Sequence, residues 1–168
     1  MDWESIYQKH SRGIYQYLLN MSGNSHDAED LLQETFIKAM KSEAALREPD
    51  RIHSWLMTIS RNLFLDLYKK KMRRNTSTAG NFSDGMMEIP AEQVNPERNA
   101  VLSDFRSKLL QAMGELSETY RTAFTLSILQ KHSYREIGEI TGWTPAMVKI
   151  NVFRARRKIA TVLVEFRG

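Results

Sequence analysis

The side chains with chemistry to offer are charged and amide groups set at helical spacing. Between His132 and Ile159 the chain reads HSYREIGEITGWTPAMVKINVFRARRKI. Val148, Val152, Ala155, Ile159 and Val162 recur at a helical period and define an inward stripe, while Lys149, Asn151, Arg154, Arg156, Arg157 and Lys158 take the other side. Guanidinium and ammonium groups at that density hold phosphates, and polar side chains near the start of such a helix reach base edges in a major groove. A helix–turn–helix must position them. Ser133 followed by Glu136 is a capping-box start, and Ile137 with Ile140 makes the first helix apolar on one face. Gly142 suits a helix end that needs positive φ, Thr144 caps the next helix, and Pro145 fits its first position. An ordinary hairpin with a solvated basic face explains less, because two caps, a glycine turn and one-sided charge coincide.

A second basic surface precedes it. Lys69, Lys70, Lys71, Arg73 and Arg74 end a helix, and Arg61 lies two to three turns earlier. Cations at a helix C-terminus suit the dipole, but this number in so short a span exceeds what a dipole asks for. A third feature is acidic. Asp30, Gln33, Glu34 and Lys38 line the outer side of the segment HDAEDLLQETFIKAMK. A solvated face, a carboxylate metal site and a protein-contact face all fit that pattern, and no histidine-containing partner pattern supports the metal.

Composition bounds the rest. The chain has 168 residues, room for one ordinary domain or two small ones, with a formal net charge of +4 and no cysteine. That excludes a disulfide framework, a thiolate metal site and a thiol nucleophile, and suits a cytoplasmic protein. The polar start MDWESIYQKH is unlike a secretory signal, and no apolar run approaches a membrane span. Strand periodicity is nearly absent, so the expected class is all-α.

In order, a first helix is expected from Trp3 to Met21, with Ile6, Ile14, Tyr17, Leu18 and Met21 inward. Ser25 is the expected cap of a second helix, His26 to Lys41, which turns Ala28, Leu31, Leu32, Phe36, Ala39 and Met40 inward. Ser42 to Arg51 reads as a loop. A third helix, Ile52 to Met72, places Trp55 and Phe64 in the core. From Asn75 to Pro96 the composition turns to Ser, Thr, Asn, Gly and Pro, and a flexible linker is expected. Beyond it Leu102, Phe105, Leu109, Met113 and Leu116 define a helix, and Ser117 caps another in which Tyr120, Ala123, Phe124, Ser127 and Ile128 face inward. The expectation is two small helical domains, 1–74 and 97–168, joined by a linker at 75–96, the second carrying the helix–turn–helix.

Taken together the chain resembles the bacterial sigma factors of the extracytoplasmic-function type, in the sigma-70 family. Three stretches carry the likeness, in the family's order and over nearly the whole chain. DAEDLLQETFIKAM is similar to its polymerase-binding helix, WLMTISRNLFLDLYKKKMRR to its −10-reading helix, and LSETYRTAFTLSILQKHSYREIGEITGWTPAMVKINVFRARRKIA to its −35-reading domain. The resemblance implies that Asp30, Leu31, Gln33, Glu34 and Lys38 grip the clamp of the largest subunit of core RNA polymerase. It implies that Arg61, Asn62, Asp66, Lys69, Lys70, Arg73 and Arg74 meet the −10 element, and that the loop Ser42 to Arg51 accepts a base flipped from the non-template strand. It assigns −35 contacts to Arg135, Lys149, Ile150, Asn151, Phe153 and Arg154. Ile150 and Asn151 depart from the family's usual polar pair, Ile150 suiting a thymine methyl and Asn151 an adenine.

The implied function is promoter-specific transcription initiation, without catalysis, cofactor, metal or small-molecule substrate. The implied partners are core polymerase (also the flap of its second subunit), promoter DNA and an anti-sigma factor, with no insertion of the chain into a membrane. Two other classes compete. A stand-alone helix–turn–helix regulator accounts for the second domain but leaves the first as an unassigned sensor. A nucleic-acid enzyme needs Asp27, Asp30 and Glu34 to bind metal, and these acids share one helix with no second acidic cluster to complete a site.

Overall fold

Apolar stripes at helical spacing leave each helix one face to bury, and the first half of the chain does so as a three-helix unit. In a computed structural model that describes residues 1–74 and 96–167, α1 (Trp3–Ser22), α2 (Ser25–Lys41) and α3 (Ile52–Arg73) pack on one another. Ile14, Tyr17, Leu18 and Met21 of α1 meet Leu32 and Phe36 of α2 and Leu56, Met57 and Phe64 of α3. Each large aliphatic side chain buried there contributes about 1.5–3 kcal/mol. Gly23 ends α1 at φ 67°, and Asn24 rather than Ser25 caps α2, its Oδ1 accepting from the Asp27 amide at 3.1 Å. Asn24 holds the extended backbone an N-cap requires, and Ser25 is already helical. The loop after α2 contains two short 3-10 turns, Glu43–Ala45 and Pro49–Arg51.

The expected linker lies outside the described residues up to position 95. The second half opens with α4 (Pro96–Glu115), one residue before its expected start, and continues through α5 (Glu118–Phe124), α6 (Tyr134–Thr141) and α7 (Pro145–Arg167). α5 runs into a π turn, Thr125–Leu129, closed by the Gln130 amide on the Thr125 carbonyl at 2.9 Å. A π turn widens the helix and rotates the side chains beyond it. Leu126 is therefore fully buried and Ile128 is exposed, where an unbroken helical period puts both Ser127 and Ile128 inward. Ser117 caps α5 as expected. No strand occurs among the described residues.

The halves do not stand apart. α3 packs on α6, and α1 on α5 and the π turn. Arg121 of α5 is the rivet. Its Nη1 donates to the Met21 carbonyl at the end of α1 at 2.6 Å, while Nε and Nη2 donate to Met113 at 3.0 Å and Leu116 at 2.9 Å at the end of α4. Those carbonyls lie at helix C-terminal ends, where acceptors outnumber donors at the negative end of the dipole; the Met113 carbonyl also takes the Leu116 amide at 3.2 Å. Burial pulls the guanidinium pKa down, yet the ring of carbonyls keeps the cation solvated by protein.

Arg121→Ala strands these acceptors and should lower the free energy of unfolding by about 3 kcal/mol in urea denaturation. Arg121→Lys should restore only part, because an ammonium cannot fork between two helix ends. A loss below about 1 kcal/mol for the alanine would show that the joint is held elsewhere.

Candidate nucleic-acid interface

The helix–turn–helix assembles from its caps as the sequence implies. Ser133 Oγ accepts from the Glu136 amide at 3.1 Å and donates to Glu136 Oε1 at 3.1 Å. Gly142 takes φ 78°, a conformation that would strain any residue with a Cβ, and its amide closes on the Gly138 carbonyl. Thr144 Oγ1 then accepts from the Met147 amide at 3.2 Å to start α7. The outer side of α7 presents Lys149, Ile150, Phe153 and Arg154 to solvent, with Arg135 of α6 alongside. Phe153 is 55% exposed, and the Arg157 guanidinium lies 5.7 Å over its ring. Tyr134, Ile150 and Phe153 line an open apolar groove between α6 and α7, with Lys149, Arg156 and Arg157 on its rim. Such a surface offers cations to phosphates and apolar contact to thymine methyls.

Asn151 is a correction. The expectation puts it on this outer side, and it is buried at 8% exposure. Position 151 falls three residues after Val148 and four before Ala155, so it sits on the inward seam and is turned away from an approaching duplex. The outer side of α7 thus offers fewer hydrogen-bonding groups than expected.

α3 separates its expected contacts in the same way. Asn62, Asp66, Lys69, Lys70 and Arg73 are exposed and recur at one helical face, with Arg74 beyond the last turn. Lys71 pairs with Asp27 of α2. Arg61 belongs to another face and is buried at the joint. Its Nη2 donates to Glu118 Oε1 at 3.1 Å and its guanidinium lies 5.6 Å over the Trp143 ring, in the turn of the helix–turn–helix. Trp143, a residue of the second half, thereby covers a side chain of the first.

The loop between α2 and α3 forms a concavity of about 350 Å³, lined by Leu46, Arg47, Arg51, Trp55 and Thr58 and reached from α6 by Glu139. Arg51 Nε bonds Glu48 at 2.9 Å and Nη1 lies 3.8 Å from Glu139. Trp55, expected as core, is only half-buried and supplies this hollow with an aromatic wall. A flat ring beside cationic and polar groups suits a nucleobase. Sequence spacing alone does not reveal it, because the loop's shape brings Trp55 to it.

On α2, Asp30, Gln33, Glu34 and Lys38 share one exposed face, as expected. Leu31 is 4% exposed and belongs to the core, so its side chain is not part of that face; Met40, expected inward, is exposed. Ile37, absent from the expected contacts, is 52% exposed, and its spacing of three and four from Glu34 and Gln33 puts it on the same face. An aliphatic side chain ringed by acids and amides is the composition of a protein-contact surface.

This geometry has relatives. Residues 6–74 match the family profile for Sigma-70 region 2, and residues 106–159 that for Sigma-70, region 4. The chain is 33% identical to the ECF RNA polymerase sigma factor SigM of Bacillus subtilis over 162 residues, covering 95% of this chain and 93% of that one. It is 32% identical to the ECF RNA polymerase sigma factor SigE of Mycolicibacterium smegmatis, where the match covers 97% of this chain and 62% of the relative's length. Among solved structures it is similar to the sigma factor RpoE of Bartonella quintana, crystallised with the anti-sigma factor NepR, with a TM-score of 0.73, 26% identity and 96% of each chain covered.

The buried ion pair at the joint should be measurable. A double-mutant cycle on Arg61 and Glu118, followed by urea denaturation, should give a coupling of about 2 kcal/mol, the scale of a charge-assisted bond screened from water. A coupling near zero would mean that the pair is incidental to the packing.

Proposed function

The chain belongs to the extracytoplasmic-function sigma factors of the sigma-70 family: it binds core RNA polymerase and directs promoter recognition, and from that premise we propose how its surfaces divide the work. Residues 1–74 form the unit that meets polymerase and the −10 element, residues 75–96 a linker, and residues 97–168 the unit that meets the −35 element. The observation that carries this division is the presence of two separate exposed basic faces, on α3 and on α7, together with an acidic and apolar face on α2 distinct from both.

In this reading Asp30, Gln33, Glu34 and Lys38 dock on the clamp of the largest subunit, with Ile37 as their apolar centre. The second unit meets the flap of the second subunit. Asn62, Asp66, Lys69, Lys70, Arg73 and Arg74 track the −10 region, and the hollow beside Trp55 receives a base flipped out of the duplex, which both reports sequence and holds the strands apart. Arg135, Lys149, Ile150, Phe153 and Arg154 contact the −35 element; Arg154 and Lys149 anchor phosphates while Ile150 and Phe153 touch thymine methyls. Asn151 is left out of this set because it is buried. Reading two promoter elements that lie apart along a duplex requires the joint between the halves to open, and a linker then raises the effective concentration of the second unit. Opening also frees Arg61 for the −10 surface and removes Glu139 from the hollow.

The partner is core polymerase in the cytoplasm, and promoter DNA is engaged mainly within the holoenzyme. A protein inhibitor also fits this chain, on the ground that the similar sigma factor RpoE was crystallised with an anti-sigma factor and that the likeness covers 96% of both chains.

Run-off transcription with core polymerase on a library of upstream DNA tests the whole reading: transcripts should appear only when the protein is added, and their start sites should share both elements. Arg154→Glu should cut −35-dependent transcription at least about tenfold while core binding survives, the size expected for losing and reversing one good DNA contact. Asp30→Ala with Glu34→Ala should weaken holoenzyme formation about tenfold, read by fluorescence anisotropy, with helical content unchanged. Unchanged core affinity in that double variant would remove α2 as the docking face.

A further inference from the structure

Of the four histidines in the chain, three meet at the joint. His10 comes from α1, His53 from the first turn of α3, and His132 from the segment that leads into α6. The His53 and His132 rings are stacked at 5.3 Å, across the boundary between the halves. On the other side of His53, Nδ1 of His10 and Nδ1 of His53 lie 3.1 Å apart. That contact is a hydrogen bond only if one nitrogen carries a proton and the other does not. With both rings charged, two N–H groups face each other and the bond is lost. His53 is thus held between two other rings: charging it together with His10 costs their bond, and charging it together with His132 stacks two cations.

We propose that these three histidines form an acid-sensitive latch: protonation parts the two halves of the chain and uncovers Arg61 and the hollow beside Trp55.

The charged groups acting on the rings are Lys9 of α1 and Glu136 of α6. Lys9 disfavours charge on His10 and His53. Glu136 favours it, with Oε2 3.2 Å from His132 Nδ1, but burial outweighs the carboxylate. Burial, reinforced by the neighbouring rings, pulls His53 down to about 4, and His10 and His132 also fall below the ordinary histidine value of 6.5. Above about pH 6.5 the rings are neutral whether the joint is closed or open, so the closed form keeps its full stability. As pH falls below that value the open form takes up protons that the closed form refuses until near pH 4, and closure weakens through that window. For His53 alone, the opening equilibrium should rise about tenfold between about pH 7.5 and about pH 5.5. The latch stands on the joint's geometry; only its consequence for promoter access rests on the function proposed above.

Because the chain has no cysteine, Thr122→Cys introduces a single thiol. Thr122 is fully buried in α5, against the Met21 sulfur of α1, so its reaction with a pyridyl disulfide requires opening. The rate, divided by that of the same chain unfolded in urea at the same pH, reads the opening equilibrium with no polymerase present. It should rise at least about tenfold over the stated pH range while the far-UV helical signal stays constant, and clearly less in a chain that also carries His53→Phe, where only His10 and His132 remain at the joint to take up protons. A flat rate, an equal rise in the His53→Phe chain, or a rise that tracks loss of helix overturns the latch. If the phenylalanine chain does not fold, ring-proton NMR titration of the unaltered chain decides instead: His10, His53 and His132 should titrate below the ordinary range, and all three titrating within it would overturn the proposal.

Discussion

The arrangement depends on one buried guanidinium. Arg121 satisfies carbonyls at the C-terminal ends of two helices that belong to different halves of the chain, α1 and α4. Helix ends are where backbone acceptors outnumber donors, and burying them without partners costs on the order of 1–3 kcal/mol each. A planar, always-charged fork with five donors solves that problem where a lysine or an amide cannot. Around it the joint collects further cross-boundary bonds: Thr58 Oγ1 to the Ile140 carbonyl at 3.2 Å and Gln130 Nε2 to the Gly13 carbonyl at 2.8 Å. Most of these are polar contacts to backbone groups. Contacts of that kind have good alternatives in water, which suits a joint that closes specifically and opens as proposed.

That joint gives some side chains two competing claims. Arg61 is an expected DNA contact and also half of a buried ion pair. Glu139 is a surface residue of the helix–turn–helix and also covers the hollow where a base would enter. Trp143 turns the chain between α6 and α7 and also shields Arg61. The closed form therefore withholds part of the proposed −10 surface while leaving the α2 face and much of the α7 face in the open. A partner that reaches α2 first meets a surface already formed, and the energy of that contact is available to bias the joint.

Local rules carry far. The caps at Ser117, Ser133 and Thr144 and the glycine at 142 lie where turn chemistry requires them, and helical periodicity places the helices of the described residues close to their observed bounds. The misses have named causes. Asn24 outcompetes Ser25 as a cap because both residue types can accept the bond and only backbone conformation chooses between them. Ile128 is expected inward because a helical period cannot anticipate a π turn. Asn151 is expected outward because it is polar and lies among basic residues, although its position on the wheel is inward.

By itself the sequence determined the helices, the two basic faces, the acidic face of α2 and the family, because periodicity, capping and motif order are all local or collinear properties. Only the tertiary structure decided that the halves pack, that Arg61 is hidden, that Trp55 lines a hollow and that three histidines from distant segments stack. Those are contacts between residues tens of positions apart. Their geometry is set by how helices cross and by which backbone ends need partners, and no spacing along the chain encodes either.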